Sequence, residues 1–396
     1  MHSTAILSAF LLVLTTLGNA SPSCRLRKYS ARQQTFAHPG VLHTHEDLLR
    51  MRTNVASKLD PWYSTYQLFA EDSHSLLTYQ MEGPLTWFER DHSGAVYGLN
   101  QIIQDGRAAI NLALQYIITQ NEAYAVASRN ILDAWSETLK FVNGSDIQLG
   151  ASLCGVNLVN ATEILRWEWN GWAVGNITRF EGMIADIFYP AAGIQGINEY
   201  PWSGGWGTTG EKAIVAYGAF LSNSTMYQEG LCLYSNPSCG AACGNLGFMI
   251  ENTGQYVESG RDQGHTQLSL GNMAEISQVA LSQGDPSIYE LLGERLRVGY
   301  EYTSEYQATN NTLPYNTTWV CCGCEDEGWT YVSSLDRTQI RPVREIVYGY
   351  YSGVKGVEMP YTKDVLSEGP ETINPVNADN DNAEWGTLRF RRTSSL

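Results

Sequence analysis

The stretch ESGRDQGHTQLSLGNMAEISQVALSQG, residues 258–284, joins a polar, glycine-rich loop to a helical pattern over residues 266–282. Its glycines permit the unusual backbone angles and close approaches that a binding loop needs. An imidazole at the start of the helix is available to accept a proton or to donate a hydrogen bond. The loop places five chemically useful side chains within eight positions: Glu258, Arg261, Asp262, Gln263 and His265.

Helical patterns continue on both sides of this stretch. Residues 105–119, DGRAAINLALQYIIT, carry one apolar stripe at spacings of three and four. A helix over 287–306 has a defined start, because Asp285 and Pro286 supply an N-cap and a first-turn proline. Short loops join serial helices of this kind in a bundle, a solenoid or a closed toroid, and the lack of a fixed repeat disfavours a regular solenoid. The other predicted helices are 122–140, 156–167, 180–189 and 211–221.

The two ends of the chain differ from the helical body. An apolar run followed by Gly18-Asn19-Ala20 predicts a signal peptide over residues 1–20, and hence a secreted, extracellular protein. The run is shorter than the roughly 20 apolar residues of a membrane-spanning helix. Residues 21–368 contain no convincing linker and are interpreted as one domain, whose Cys-rich part after Tyr315 we expect to be irregular. Residues 369–396 form a polar tail for which we expect partial disorder.

Glycosylation and cysteine patterns agree with a secretory route. Eight cysteines in a secreted chain predict disulfides, while the clusters at 239–243 and 321–324 leave a zinc site as the alternative. Their spacing matches no common zinc pattern. The N-x-[ST] sequons predict glycans at Asn143, Asn160, Asn176, Asn223, Asn310 and Asn316.

The net charge of −16 limits the classes of partner. It argues against nucleic acid, whose recognition needs a basic surface. It is compatible with an acidic substrate only if a few arginines are concentrated locally, because salt screens charges beyond about 10 Å. The oligomeric state stays open.

Several strings along the chain resemble the alginate lyase-domain family of polysaccharide lyases. Residues 258–284 resemble the family signature, and DGRAAINLALQYIITQNEAYA (105–125) resembles its early helical pair. CGVNLVNATEILRW (154–167) resembles its asparagine-containing segment. GGWGTTGEKAIVAYGAFLSN (204–223), EYTSEYQ (301–307), RPVREIVYGYY (341–351) and a later PYT also match, so that the resemblance covers most of residues 38–362. We expect a fungal-type secreted member.

The resemblance implies an all-α fold, an (α/α) toroid of helical hairpins with a groove at one end. It also implies lyase activity on a uronate polymer such as alginate or β-1,4-glucuronan, without a cofactor or a metal. A carboxylate-neutralising residue, a histidine and a tyrosine carry this reaction in the family. His265 matches directly, with Glu258, Arg261 and Asp262 as its neighbours. Where the family pattern leads us to expect an asparagine before Trp-Gly, this chain has Gly205, so Asn157 becomes the candidate neutraliser.

The order and direction of the predicted helices limit which tyrosines can be catalytic. β-Elimination removes a weakly acidic C5 proton, and donors such as Asn157, Arg261 and His265 must offset charge on the carboxylate. A tyrosine is suited to the proton transfers. If 287–306 returns antiparallel to 266–282, its C-terminal end lies near His265. This leaves Tyr302, Tyr306 and Tyr315 as catalytic candidates.

Further residues are candidates for the substrate groove. Trp202 and Trp206 offer stacking surfaces for sugars, whereas Trp172 is interpreted as a core residue. The cluster 90–92 is interpreted as a solvated turn. Glu258, Asp262 and Gln263 are predicted to contact substrate.

Two other functions remain open. A glycoside hydrolase needs a pair of acids, and Glu258 or Asp262 would have to pair with Glu163 or Asp105. A non-catalytic glycan-binding protein on the same fold is the second alternative. Sequence does not distinguish the uronate polymers, nor endo from exo cleavage.

Overall fold

The computed structural model describes residues 34–94, 96–192, 204–239, 243–309, 311–374 and 381–392. The predicted signal peptide, Cys24, Trp202 and Asn310 lie outside these ranges. The long helices are α3 (Leu99–Thr119), α4 (Glu122–Thr138), α5 (Ile147–Glu168), α8 (Gly204–Phe220), α11 (Gln263–Ser282) and α12 (Ser287–Ala308). The shorter ones are α1 (His45–Ala56), α2 (Trp62–Glu71), α6 (Val174–Met183), α7 (Tyr189–Ala192), α9 (Ser224–Ser235), α10 (Leu246–Met249), α13 (Arg344–Tyr348), α14 (Pro360–Ser367) and α15 (Gly386–Phe390).

Helices α3, α5, α8 and α11 run parallel to one another. Gly106 of α3 faces Asn157 of α5. Further along both helices, the Tyr116 hydroxyl of α3 donates to the Glu168 carbonyl of α5, so the two helices run in the same direction. In α8 and α11, the Asn272 amide donates to the Thr209 hydroxyl at 2.8 Å, one turn beyond the contact of Gly205 with Leu268 and Ser269. The N-terminal ends of these four inner helices therefore lie at the same end of the molecule.

Each inner helix is followed by an antiparallel outer helix. In the α3–α4 pair, Ser128 donates to the Ala109 carbonyl at 2.7 Å, while Trp135 Nε1 donates to Asp105 at 2.7 Å. In the α11–α12 pair, Gly299 packs on Leu270, and the Tyr289 hydroxyl reaches Gln278. Helical hairpins in this arrangement confirm the all-α toroid that the resemblance implied.

The inner helices are buried on nearly every side, which explains their composition. In α8, sixteen residues from Gly204 to Phe220 are buried, Trp206 being the exposed one. Small residues make this packing possible, since a Cβ at Gly218 would collide with the backbone of Tyr227 on α9. Helix α4, by contrast, buries a single stripe, as expected for an outer helix.

One acid in this packing makes stability depend on pH. Glu211 on α8 is 1% exposed, its Oε2 has no hydrogen-bond partner among the described residues, and burial raises its pKa well above the ordinary value. A raised folded-state pKa means that stability is complete below the unfolded-state pKa and is lost as the pH rises above it.

Glu211→Gln is therefore expected to leave stability unchanged near pH 4 and to increase it at pH 8. The gain corresponds to roughly 1.4 kcal/mol for each unit of pKa difference removed. Urea unfolding of wild type and variant across pH 4–8 measures it, with the exposed Glu325→Gln as control. Parallel pH profiles for wild type and Glu211→Gln would contradict the assignment.

Two short strands occupy the loops that precede α3 and α5. Strand β1 (Trp87–Glu89) pairs in parallel with β2 (Phe141–Asn143), so that Trp87 lies opposite Phe141. Because these loops lead into inner helices, the strand pair lies at the end where the inner helices begin.

The C-terminal segment is packed inside the ring of helices. Glu384 forms two hydrogen bonds with Arg107 of α3, at 2.8 and 2.9 Å. Lys212 of α8 donates to the Asp381 carbonyl at 2.7 Å, and Glu275 of α11 accepts from the Ala383 N–H at 3.0 Å. The expectation of partial disorder after Gly369 is therefore corrected for 381–392, because the Glu384 side chain and the backbone groups of Asp381 and Ala383 are buried partners of charged residues on the inner helices.

Disulfides confirm the prediction from the cysteine count. The bonded pairs are Cys232–Cys239, Cys243–Cys322 and Cys321–Cys324. Cys243–Cys322 links the two cysteine clusters, and these six sulfurs are not available to zinc. Among the described residues, no helix combines the length and the apolar character needed to cross a membrane.

Candidate active site

The signature loop lies at the end of the toroid where α8 and α11 begin. Glu258 is 4% exposed, and its carboxylate accepts the Gly205 N–H at 2.8 Å in the first turn of α8. Gly204, with φ +63°, is needed here, because a Cβ would collide with this carboxylate. The carboxylate thus neutralises the positive end of α8 and ties the loop to that helix.

Asp262 positions His265. One Asp262 oxygen caps α11 by accepting the His265 N–H at 2.6 Å, and the other lies 2.7 Å from His265 Nδ1. An ionised Asp262 makes Nδ1 the protonated nitrogen and leaves Nε2 as the acceptor. Burial alone would raise the pKa of Asp262, but the hydrogen bonds from His265 outweigh it and hold that pKa below its usual value. The His265 side chain is 41% exposed, so Nε2 is accessible to a ligand.

Arg261 lies over the two carboxylates. Its Nη1 donates to Glu258 at 2.9 Å, and its Nε is 3.6 Å from Asp262. The side chain is 44% exposed. Arg261 and His265 therefore present a cation and an imidazole side by side at the surface, held from beneath by buried acids.

The structure separates the three tyrosine candidates. Tyr302 donates to the Pro314 carbonyl at 2.6 Å, and Tyr306 donates to the Val332 carbonyl at 3.1 Å. The Tyr315 hydroxyl is buried and has no hydrogen-bond partner among the described residues. It packs against Gly260, where a Cβ would collide with it, so it lies in the turn between Glu258 and Arg261. Burial raises the pKa of Tyr315, which favours the neutral phenol.

A sequence profile of the family described as alginate lyase matches residues 59–313. The chain belongs to the alginate lyase family. Its fold is similar to an alginate lyase from Bacteroides ovatus, with 11% identity, a TM-score of 0.59, and coverage of 89% of this chain and 99% of the other. It is also similar to alginate lyase A1-III from Sphingomonas species A1, with 13% identity, a TM-score of 0.58, and coverage of 87% and 94%. A tyrosine-to-phenylalanine variant of A1-III complexed with tetrasaccharide is also similar, with 14% identity, a TM-score of 0.63, and coverage of 87% of this chain and 94% of the other.

Family membership makes the chain a polysaccharide lyase. No curated sequence matches it. The described ranges contain no group of three or more His, Cys, Asp or Glu side chains arranged to hold a metal ion.

Asn157 does not join the site in this family member. It lies ten residues into α5, about 15 Å from the N-terminal end of that helix at 1.5 Å per residue. His265, by contrast, is in the first turn of α11. In the first turn of α5, Gln148 donates to the Trp206 carbonyl of α8, and Gly205 of α8 contacts Leu268 of α11. Because α8 packs between α5 and α11 with its first turn beside theirs, Asn157 lies deeper in the ring than His265, and the prediction of Asn157 as neutraliser is corrected.

Three predicted substrate contacts are instead supports. Glu258, Asp262 and Gln263 are 4%, 6% and 1% exposed, and the Gln263 amide donates to the Ser333 carbonyl. Their polar groups form hydrogen bonds that stabilise the signature loop, and their burial excludes extensive contact with a polymeric substrate. Trp206 is 37% exposed in the first turn of α8, and its stacking on sugars stays a prediction. Trp172 is a core residue, as interpreted.

A second wall of the site was not predicted. Residues 329–339 run along the signature loop, where Ser333 N–H donates to the Ser259 carbonyl and Gln263 N–H donates to the Leu335 carbonyl, both at 2.9 Å. Tyr331 and Leu335 are 68% and 62% exposed on this wall. The run of aromatic residues in an otherwise irregular stretch was the available signal.

The acid pairs that a hydrolase requires are not assembled. Asp105 is fully buried and accepts hydrogen bonds from Tyr79 and Trp135. Glu163 is 2% exposed near the C-terminal end of α5, where it binds His38 at 2.6 Å. Neither acid is hydrogen-bonded to Glu258 or Asp262 among the described residues, and both are already bound to other side chains, so the structure does not form the acid pairs that a hydrolase requires.

The predicted glycosylation sites differ in accessibility. Asn160 is 4% exposed inside α5, and its amide donates to the Val156 carbonyl, so a glycan there is excluded by packing and that prediction is corrected. Asn176 and Asn316 are half-buried and donate to Asp133 and Glu251. Asn143 and Asn223 are exposed.

Proposed function

We propose that this chain is a secreted lyase that cleaves a uronic-acid polymer, alginate or β-1,4-glucuronan, by β-elimination. The observation that carries the proposal is the accessible His265 held by Asp262 beside Arg261. This is a base next to a cation, which a reaction α to a carboxylate requires. The A1-III variants complexed with tetrasaccharide support an oligosaccharide ligand in this fold.

The proposed reaction uses three side chains. His265 Nε2 removes the C5 proton while Arg261 balances the charge that develops on the uronate carboxylate. The electrons form the C4–C5 double bond, the C4–O bond breaks, and Tyr315 gives its proton to the leaving oxygen. The base is assigned to His265 because its Nε2 is an accessible acceptor, whereas burial raises the pKa of Tyr315 and keeps the phenol protonated before the reaction, as a general acid must be.

The lyase reaction is tested by ultraviolet absorbance of the unsaturated uronate. The secreted protein is incubated separately with glucuronan, polymannuronate and polyguluronate. A rise with one polymer supports the proposal and names the substrate. New reducing ends without absorbance would replace it with hydrolysis, and no product from any of the three would overturn the proposed substrate class.

Tyr315→Phe is expected to lower kcat by about 10²–10⁴-fold, the usual contribution of a general acid. Stability should change little, because the lost hydroxyl has no partner among the described residues. Tyr306→Phe is the matched control, since it loses a hydrogen bond to Val332 and should cost about 1 kcal/mol of stability while retaining activity. Wild-type turnover by Tyr315→Phe would remove Tyr315 from the mechanism.

We also propose that residues 1–20 are a signal peptide and that the catalytic domain begins at Ser21. The predicted domain end at 368 is extended to include 381–392, because this segment is packed inside the ring of helices. The three disulfides support an oxidising compartment. N-terminal sequencing of protein secreted by a eukaryotic host should start at Ser21. A start at Met1 would contradict the cleavage.

A further inference from the structure

Three aromatic rings form an exposed stack on the β1–β2 pair. Trp87 stacks on Tyr97, with centroids 4.4 Å apart at 28°, and on Phe141, with centroids 5.8 Å apart at 8°. Phe141 is 50% exposed and Tyr97 is 44% exposed. Because these rings remain largely exposed to water, folding buries little of their apolar surface. A contiguous exposed apolar surface of this kind is typical of a binding site.

The sequon asparagine Asn143 lies on the same face as Phe141. The two residues alternate on β2 around buried Val142, which places their side chains about 7 Å apart along the strand. Gly144 then turns the chain with φ +104°, and a side chain there would collide with the Arg90 carbonyl. The strand therefore ends at Asn143, with its amide beside an uncovered ring.

We propose that Asn143 carries an N-linked glycan whose first N-acetylglucosamine packs on Phe141 and extends the Trp87–Tyr97 stack. The apolar face of a sugar ring covers an exposed aromatic ring, which removes apolar surface from water. The glycan thereby stabilises the strand pair at the end of the toroid where the inner helices begin. The inference rests on the proposed secretory route and not on the lyase reaction.

Charge favours the attached sugar over a polymeric substrate as the occupant. Glu89 lies opposite Asn143 in the strand register, and its Oε1 accepts from Asn143 Nδ2 at 3.3 Å. A carboxylate at the edge of the stack repels a polyuronate. It does not repel neutral N-acetylglucosamine, and it can accept the N–H that remains on a glycosylated amide.

The full chain secreted from a eukaryotic host tests the proposal by a double-mutant cycle. Phe141→Ala, Asn143→Gln and the double variant are compared by calorimetric Tm, and glycopeptide mass spectrometry reports occupancy of Asn143. Phe141→Ala should lower Tm by about 2 °C more in the Asn143 background than in the Asn143→Gln background. Trimming every glycan to one N-acetylglucosamine with an endoglycosidase should preserve this coupling.

Asn223→Gln is the matched control, because Asn223 is the other exposed sequon residue among those described, and the residue two positions before it is aliphatic Leu221. It should not couple with Phe141→Ala. An unoccupied Asn143, or additive Tm changes in the cycle, would overturn the proposal. If Phe141→Ala raised the KM for a uronate polymer by the same factor with and without the Asn143→Gln substitution, the stack would instead bind substrate. The Tm measurements do not depend on lyase activity, so they test the glycan contact even if the protein is not a lyase.

Discussion

Replacing His265 with alanine is expected to lower kcat/KM by about 10²–10⁴-fold while the protein stays folded. The side chain is 41% exposed and its ring contacts Asp262, so its removal leaves no cavity in the core. Alanine is also the best residue for the helix interior. If Nε2 is the base for the C5 proton, no neighbouring group replaces it, and general-base contributions of 10²–10⁴ are typical. Initial rates by ultraviolet absorbance and the urea midpoint measure the two effects separately.

Asp262→Asn is the matched variant for His265. Asparagine remains a good N-cap for α11, so the cost in stability should stay below about 1 kcal/mol. It removes the charge that keeps the proton on Nδ1, and loss of the correct tautomer is expected to reduce kcat by orders of magnitude, as in other His–Asp pairs. Unchanged turnover in His265→Ala would remove the histidine from the mechanism. An inactive His265→Ala with an active Asp262→Asn would remove only the positioning role.

Glu384→Gln is expected to destabilise the protein by about 3–5 kcal/mol, the cost of removing one member of a buried ion pair. Arg107 and Glu384 are 5% and 3% exposed and share two hydrogen bonds at 2.8 and 2.9 Å. The substitution keeps the shape of the side chain but leaves the Arg107 guanidinium buried without this carboxylate. Urea unfolding followed by circular dichroism measures the change.

The exposed pair of Lys355 and Glu290 provides the control. Glu290→Gln removes an ion pair of 3.0 Å whose acid is 50% exposed, and such pairs contribute less than about 1 kcal/mol. Replacing Arg107 and Glu384 together by methionine should recover much of the loss, because no uncompensated charge remains. A loss below about 1 kcal/mol for Glu384→Gln would mean that the Arg107–Glu384 pair is not what holds the C-terminal segment in the ring.

Helices with one-sided patterns were predicted closely from the sequence. The expected 122–140 and 266–282 correspond to α4 and α11. The expected 287–306 corresponds to α12, but the helix is interrupted at Leu291–Glu294, where the backbone is not helical. For α5 and α8, however, the predicted starts at 156 and 211 were late by nine and seven residues. Their first turns, IQLGASLCG and GGWGTTG, are rich in glycine and small residues that pack between neighbours, so they lack an amphipathic signal.

Short elements escaped prediction for a related reason. Helices α1, α2 and α9 and the three-residue strands were not predicted, because elements this short contain few periodic positions and depend on packing against the ring. The predicted 180–189 overlaps the end of α6 and the start of α7. The C-terminal segment 381–392 is polar and was expected to be solvated. Its burial depends on Arg107, Lys212 and Glu275, which lie far away in sequence.

The sequence by itself determined the helical composition, the disulfide chemistry and the loop that carries Arg261, Asp262 and His265, because each depends on residues within a few positions. Tertiary structure decided which distant residues join that loop. It brought Tyr315 against Gly260 and lined the site with 329–339, while it kept Asn157 ten residues beyond the start of α5. The physical reason is that the depth of a residue in a ring of parallel helices depends on how the helices are staggered. That stagger results from packing and not from any local pattern.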